Sequence, residues 1–434
     1  MSGFDCDIAV VGGGLVGVPL ALALAARGWR VALFERRAGP PFVPSDPLDQ
    51  RCTALSAGSV DWLTRQGLWS RLAADACPIR DVHVSQRGHA GAVRMGASEQ
   101  GGGALGQVIE NRVALAALEP LLEASAVRRF TGVRVGTVTL DGESIVLGCV
   151  TDAPNSVAVP DAQVPEQASA QDAARAAARL SLEPPSSGPP TALRARLVIG
   201  VDGVESDVRA ALGIGARRVD YDQSAVLGTL RLGRDHGHVA YERFTDGGPL
   251  ALLPRPARTV SFVECVTPER GRDIAGFDGT ELLEHLQRRF GYRLGRFLRA
   301  GPASVVPLVR VEAERQVAPR AVLLGNAVRL LHPIAGQGYN LALRDVARLV
   351  EMLSGDADEV APGTDPGARE RLEAFAAERR GDQRRVVAAT DLLARTFRGQ
   401  SRALAGLRAL GLVGLDTVSP LRRRFARAAM GQGF

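Results

Sequence analysis

Two hydrophobic periods divide the chain. Residues 7–11 (DIAVV) form a continuous apolar run of the kind buried on both faces of a parallel sheet. Glycines follow at once, and an apolar stretch of helical character runs to Arg27. Residues 30–35 (RVALFE) return to strand character, so the opening reads as a βαβ unit. A helix is predicted over 112–124, and two strands over 133–150 that turn at Asp141-Gly142. Residues 151–190 break the pattern: they are rich in Ala, Pro, Ser and Gln and contain no aromatic residue. They read as an inserted polar surface loop, with a small folded subdomain as the alternative. A strand resumes at Arg196–Val201. Between 225 and 265 the period becomes two, in the segments VLGTLRL, HVAYERF, PLALLPR and TVSFVEC, with His236 and His238 placed on a strand. Val322–Gly325 is a further buried strand whose loop leads into a helix from about Asn340, and 369–396 and 402–418 read as helical. The expected architecture is α/β: a doubly wound domain from 1–218 and 306–355, an inserted antiparallel β domain at 219–305, and a helical region at 356–434.

Composition narrows the function classes. Of 434 residues 46% are hydrophobic and 23% charged, the balance of a globular enzyme. The 53 basic residues are all arginine, dispersed among 47 carboxylates, which reads as a solvated surface and not as a nucleic-acid footprint. Five scattered cysteines (Cys6, Cys52, Cys77, Cys149 and Cys265) show neither disulfide framework nor zinc spacing, so no metal is expected and a reducing cytoplasm fits. No basic n-region precedes the first strand, so a secretory signal is not expected. The longest apolar run, Val16–Ala26, is too short to span a bilayer.

The strongest local signal is GGGLVG at 12–17. It follows a strand, opens a helix, and has Glu35 eighteen residues beyond its last glycine. Gly12 permits the tight turn, Gly14 lets backbone N–H groups approach a pyrophosphate, and Gly17 allows close helix–strand packing. Glu35 at the end of the second strand is placed to accept hydrogen bonds from a ribose. A dinucleotide is implied; whether it is FAD or NAD is left open by this motif alone.

Two further blocks, GVDGVESDVR at 200–209 and GNAVRLLHPIAGQGYNLALRD at 325–345, together with ERFTDGGPLALLPR at 242–255, resemble the aromatic-ring hydroxylase family of flavin monooxygenases. The best-known member is p-hydroxybenzoate hydroxylase. The likeness covers nearly the whole chain outside 151–190. HPIAGQG at 332–338 and ERFTDGGPLALLPR at 242–255 are most similar to the ubiquinone-biosynthesis branch, and within it to the 2-polyprenyl-6-methoxyphenol 4-hydroxylase type. The resemblance implies a Rossmann-type FAD-binding domain, an inserted β-sheet substrate domain and a C-terminal helical region. It implies FAD as cofactor, NADPH as electron donor and O2 as co-substrate, with oxygen transferred from a C4a-hydroperoxyflavin to an electron-rich phenol.

Site residues carry over position by position. Arg36 joins Glu35, and Arg51 and Arg112 match arginines of the flavin region, with surface ion pairs as the alternative. Asp202 and Gly203 are expected at the cofactor, with a loop N-cap as the other reading of Asp202. Gly336, Gln337, Gly338 and Asn340 would set a helix N-terminus against the isoalloxazine edge, where it stabilises negative charge. His332 and Pro333 occupy the loop expected to face substrate, although a histidine there can equally cap loop carbonyls. Asn326 departs from the family's usual aspartate, and Arg329 stands where many members have histidine. The apolar strands at 248–264 suit a pocket wall, and no general base is identifiable.

The expected activity is ring hydroxylation of a polyprenylated phenol, at C4 on the closest motif likeness. The alternatives are another ring position of the same pathway or a non-catalytic FAD-binding scaffold in a ubiquinone-biosynthesis assembly. Arg422, Arg423, Arg424 and Arg427, interspersed with Leu421 and Phe425, form the densest basic cluster beside apolar residues. They read either as part of a packed helix or as a peripheral contact of a cytoplasmic enzyme with the inner membrane.

Overall fold

Four apolar runs stack side by side because each is hydrophobic on both faces and must be covered from both. In the computed structural model they are β19 (Ala321–Leu323), β11 (Ala192–Gly200), β1 (Cys6–Val11) and β2 (Val31–Glu35), in that order and all parallel. Ile8 of β1 lies between Leu197 and Val31. β8 (Arg128–Thr131) extends the sheet in parallel beside β2, and β18 (Val317–Ala318) closes the other edge antiparallel. β9 (Val133–Asp141) and β10 (Ser144–Thr151) form a hairpin antiparallel to β11. The structure describes residues 4–38, 51–88, 92–151, 191–333, 336–354 and 363–398. The insertion expected at 151–190 (Thr151 apart), the helix at 402–418 and the arginines at 422–427 lie outside them.

One face of this sheet is covered by α1 (Gly17–Ala25), α4 (Asn111–Glu123) and α8 (Gln337–Ser354), whose Leu20, Leu24, Leu118, Val346 and Leu349 pack on Val10, Leu33 and Ile199. Helix α1 is apolar all round and accordingly buried from Gly17 to Leu24. On the other face, β9, β10 and the short α5 (Asp207–Ala211) bring Val135, Ile145, Leu147 and Val208 against Phe34 and Val198.

A three-stranded sheet of β3 (Cys52–Ser56), β7 (Gly106–Glu110) and β4 (Cys77–Ile79) sits beside α2 (Ala57–Arg65) and α3 (Trp69–Leu72). The largest sheet has nine strands. Its path is β20 (Arg329–Leu330), β17 (Ser304–Ala313), β12 (Ala216–Leu232), β15 (Thr259–Val266), β14 (Gly248–Arg255), β13 (Val239–Thr245), β5 (Asp81–Gln86) and β6 (Ala92–Gly96). β16 (Phe297–Ala300) also pairs with β12. The alternating segments of 225–265 supply its centre, and strands from 81–96 and 304–313 join them from outside 219–305. His236 and His238 are not on a strand: they lie in the turn before β13, where His236 Nδ1 accepts from the His238 amide (3.0 Å) and Nε2 lies 2.8 Å from the Arg255 carbonyl. The turn forms there because Asp235 accepts from the Gly237 amide, and that local bond outweighs the alternation.

The outer face of the large sheet carries Val226, Leu230, Leu252 and Phe262 against Leu282, Leu286 and Phe290 of α7 (Gly279–Phe290), after α6 (Pro268–Ala275). Both helices start where their sequences dictate: Thr267 caps α6 ahead of Pro268, and Asp278 with Glu281 forms a capping box on α7. Glu264, fully buried on this face, is paired by Arg289 and lies 2.8 Å from His285 Nε2.

The last described helix, α9 (Arg369–Arg398), is fastened to α8 through buried charge. Asp345 accepts from Arg379 Nε (2.6 Å) and Gln383 Nε2 (2.9 Å), while Arg344 pairs with Asp382 at 3.3 Å. Burial pushes the Asp345 carboxyl above its ordinary range, although Arg379 favours the charged form. Removing one member of such a pair leaves the other buried and uncompensated, at a cost of about 3–5 kcal/mol. Asp345→Ala is therefore expected to lower the unfolding free energy by about that amount in urea titration, and a change below about 1 kcal/mol would show the network to be dispensable.

Candidate functional site

The parallel strands end on one edge, and each end opens into a segment singled out in the sequence. β1 runs into Gly12–Gly17, β2 ends at Glu35, β11 leads to Asp202-Gly203, and β19 leads to Gly325-Asn326. In an open parallel sheet this carboxyl edge is where ligands bind.

The first glycine loop is held by backbone contact. Gly12 has φ +116°, and a Cβ there would lie 2.6 Å from the Val201 carbonyl oxygen. A Cβ on Gly17 would fall 1.8 Å from the Gly12 oxygen, so α1 can begin this close to β1 only without a side chain. Gly14 differs: nothing lies within 4 Å of where its Cβ would be. The space over Gly14 faces the N-terminus of α1, where partial positive charge favours a pyrophosphate.

Glu35 anchors the neighbouring part. Its Oε2 accepts from the Gly13 amide and its Oε1 from the Arg37 amide, both at 2.8 Å, which fixes the carboxylate and leaves lone pairs for ribose hydroxyls. Beside it is a hollow walled by Val18, Leu33, Leu115 and Leu122 and closed by the Arg129–Glu119 ion pair. Arg36 is exposed next to it.

Asp202 has two protein partners. Its Oδ1 accepts from Ser206 Oγ (2.5 Å) and its Oδ2 from the Val208 amide (3.1 Å), so it buttresses the start of α5, which Ser206 caps. Burial pushes its carboxyl above the ordinary range against these bonds. Gly203 follows at φ +99°, with open space around it. The arginine closing this block, Arg209, is buried and donates to the Val204 (2.8 Å) and Ala327 (2.9 Å) carbonyls, tying the Asp202 loop to the Asn326 loop. Asn326 is exposed on that edge, and Arg329 turns away to Gln383 and Glu312.

The second glycine loop meets the first. Tyr339 donates to the Leu15 carbonyl (3.0 Å), inside GGGLVG, so the N-termini of α1 and α8 are joined directly. Gly336 and Gln337 are half-buried, and Gly338 has open space over it. Asn340 is buried with its amide fully used: it donates to Ala54 O (3.0 Å) and Gly336 O (2.9 Å) and accepts from the Ser56 amide and Ser59 Oγ, both at 2.8 Å. Its four bonds are all to protein, which makes it a positioning residue for the loop. Pro333 is exposed, while His332 is buried edge-on to Tyr221 with ring centroids 5.0 Å apart. Burial pushes the His332 pKa down to about 4, so its imidazole is neutral at neutral pH.

Arg51 is exposed at the start of β3, and its carbonyl accepts from the Asn111 amide (3.0 Å). Arg112 lies 3.5 Å from Glu110, which also pairs with the buried Arg255 of β14. Sequence reasoning missed Arg255, Arg209 and Tyr339, because each acts through a contact more than a hundred residues away. The inner face of the large sheet spreads beyond Arg255. Across it runs a half-buried row, Val84–Glu242–Ala251–Val263–Leu227, in register on five strands. The rows on either side are mostly buried, with Ala240, Ser261 and Thr229 in one and Phe244, Cys265 and Ala225 in the other. The 332–338 loop reaches the two ends of this face, through His332 on Tyr221 and through Gly336 beside Ala54. The central row is thus a half-buried strip, apolar apart from Glu242, between these two contacts.

These features fit FAD: a carboxylate at Glu35 with lone pairs left for a ribose, unobstructed space at Gly14, and the N-terminus of α8 joined to the first glycine loop. Gly14→Val is expected to fold with the melting temperature of flavin-stripped wild type but to purify without flavin absorbance. Gly17→Val should fail at folding itself. Flavin retention by folded Gly14→Val would remove the pyrophosphate from this loop.

Comparison with known proteins agrees with the geometry. A family model described as FAD binding domain matches residues 150–390, more than half of the chain, and one described as FAD dependent oxidoreductase matches residues 7–143. The chain is 33% identical over 431 residues to Ubiquinone hydroxylase UbiL of Rhodospirillum rubrum, covering 98% of this chain and 89% of that protein. It is 31% identical over 432 residues to 3-demethoxyubiquinol 3-hydroxylase of Escherichia coli, covering 99% and 100%. The crystal structure of p-nitrophenol 4-monooxygenase PnpA from Pseudomonas putida has the same fold, with TM-score 0.72, 17% identity, and coverage of 99% and 98%. With its paired glycine loops, its parallel FAD-type sheet and these full-length kinships, the chain belongs to the FAD-dependent monooxygenase family.

Proposed function

We propose that this monooxygenase hydroxylates the ring of a polyprenylated phenol on the route to ubiquinone, using NADPH and O2. The observation that carries the reading is the half-buried, largely apolar row Val84–Glu242–Ala251–Val263–Leu227 on the inner face of the large sheet, in a chain alike over its full length to ubiquinone hydroxylases. Glu35 and the hollow beside it would hold the adenosine, the Gly12–Gly17 loop the pyrophosphate, and the N-terminus of α8 the flavin ring. Bound FAD supplies the oxygen-activating chemistry. The chain's own part is to orient the phenol and exclude water. Val84, Ala251, Val263 and Leu227 wall the ring, and Asn340 and Tyr339 keep the second glycine loop in place.

The likeness of HPIAGQG favours C4 of a 2-polyprenyl-6-methoxyphenol. The 31% identity to a 3-hydroxylase favours another position of the same ring. Analysis of quinone intermediates in a strain lacking the gene separates them: the accumulating compound lacks the hydroxyl this enzyme adds, and a normal ubiquinone pool would overturn the reading.

Among the described residues no helix is long and apolar enough to cross a membrane. The lipid-tailed substrate then calls for a surface contact, which the reading assigns to Arg422, Arg423, Arg424 and Arg427, outside the described residues. Each cation near an anionic leaflet contributes about 1 kcal/mol. Replacing the four by serine is expected to lower vesicle association and turnover of a long-chain phenol while sparing a short-chain one. Equal loss on both substrates would show instead that the segment is a packing element.

A further inference from the structure

One residue of this half-buried row does not match its apolar neighbours. Glu242 of β13 lies between Val84 and Ala251 in register, on the face that carries buried Ala240 and Phe244 two residues either side. It is half-buried, and no side chain of the described residues hydrogen-bonds or ion-pairs with it. A carboxyl left without a partner on an apolar wall is costly unless something else uses it. The charged and titratable groups around it are otherwise engaged or distant along the face. Cys265 of β15 adjoins it, and burial pushes that thiol up and keeps it protonated. Arg255 is taken by Glu110 at one end, and Asp391 by Tyr221 and Arg310 beside neutral His332 at the other. Tyr241, Arg243 and Glu264 point to the outer face.

We propose that Glu242 is the base that takes the proton from the substrate's phenolic hydroxyl, an inference that rests on the phenol-hydroxylase reading above. The phenol O–H bond breaks, its proton bonds to a Glu242 carboxylate oxygen, and the electron pair stays on the phenolate oxygen. From there it delocalises onto the ring carbons ortho and para, which makes them better nucleophiles toward an electrophilic oxygen. No electron is transferred in this step. Burial pushes the Glu242 carboxyl up to about 7, close to the value that serves a base at neutral pH. The base form is the carboxylate, so activity should fall as pH drops through about 7 and level off above it.

The test uses the FAD-loaded full chain, wild type and Glu242→Gln, with 2-methoxy-6-methylphenol as a water-soluble probe. Two readouts are needed: the ultraviolet difference spectrum of the bound phenol, which reports phenolate, and the pH dependence of NADPH-driven hydroxylation. Wild type should bind the probe as phenolate above the transition. Glu242→Gln, with an unchanged flavin spectrum, should bind it as neutral phenol, turn over about 100-fold more slowly and lose the acid limb. A variant that still ionises the probe and keeps the limb overturns the role of Glu242 and leaves the hydroxylase reading standing. A wild type that binds the probe only as neutral phenol, with no limb near neutrality, also overturns it. A wild type that neither binds nor oxidises phenols, while the gene's loss leaves ubiquinone intact, removes both.

Discussion

The contact on which the rest depends is between backbones: Gly17 against the Gly12 carbonyl, and Gly12 against Val201. Because no side chain stands there, β1 can turn within a few residues and α1 can start almost on top of it. That places the helix N-terminus at the carboxyl edge of the sheet, where its unpaired N–H groups and dipole act on a ligand. The parallel alignment of β2, β1, β11 and β19 then brings three more loops to the same edge. Tyr339 adds a second helix N-terminus by bonding to Leu15 inside the first loop.

Much of the site is held together by polar groups whose bonds run to other parts of the protein. Asn340 satisfies four backbone and hydroxyl partners on the β3–α2 junction and its own loop, and Arg209 staples two strand-end loops through their carbonyls. Each such bond adds modestly to stability, but leaving its buried partner unsatisfied costs about 1–3 kcal/mol. The loops are therefore held in one arrangement rather than many, which a cofactor site requires. Asp202 belongs to the same class through Ser206 and Val208.

The large β-sheet divides its labour by face. Period-two alternation sends Phe262, Leu252 and Leu230 outward to α7, where burial stabilises the domain. The same strands send Ala251, Val263 and Leu227 to the inner face, where they stay half-buried. An apolar wall with a single carboxyl is suited to an aromatic ring that carries one hydroxyl. The ion pair Arg255–Glu110 joins this sheet to the three-stranded one.

Local patterns were enough to read the βαβ opening, the four central strands of the large sheet and the glycine loops. Their signals are short-range: apolar runs, alternation, and glycines where backbones approach. The turn at Asp235–His238 escaped because two histidines spaced by one residue mimic alternation, while an Asp side chain bonding its own backbone decides the conformation. Which residues hold the site and which serve it was decided only by tertiary structure. Asn340, Asp202 and His332 look alike in sequence as polar residues of motifs, yet Asn340 has four bonds to protein, Asp202 has two and His332 is buried against Tyr221. Glu242 looked like an ordinary polar member of a strand, and only the pairing of β5, β13 and β14 surrounds it with apolar neighbours. Sequence determines which groups are available and how each segment prefers to bend. Desolvation and partner choice are set by residues far away in the chain, so they exist only once the sheets have closed on one another.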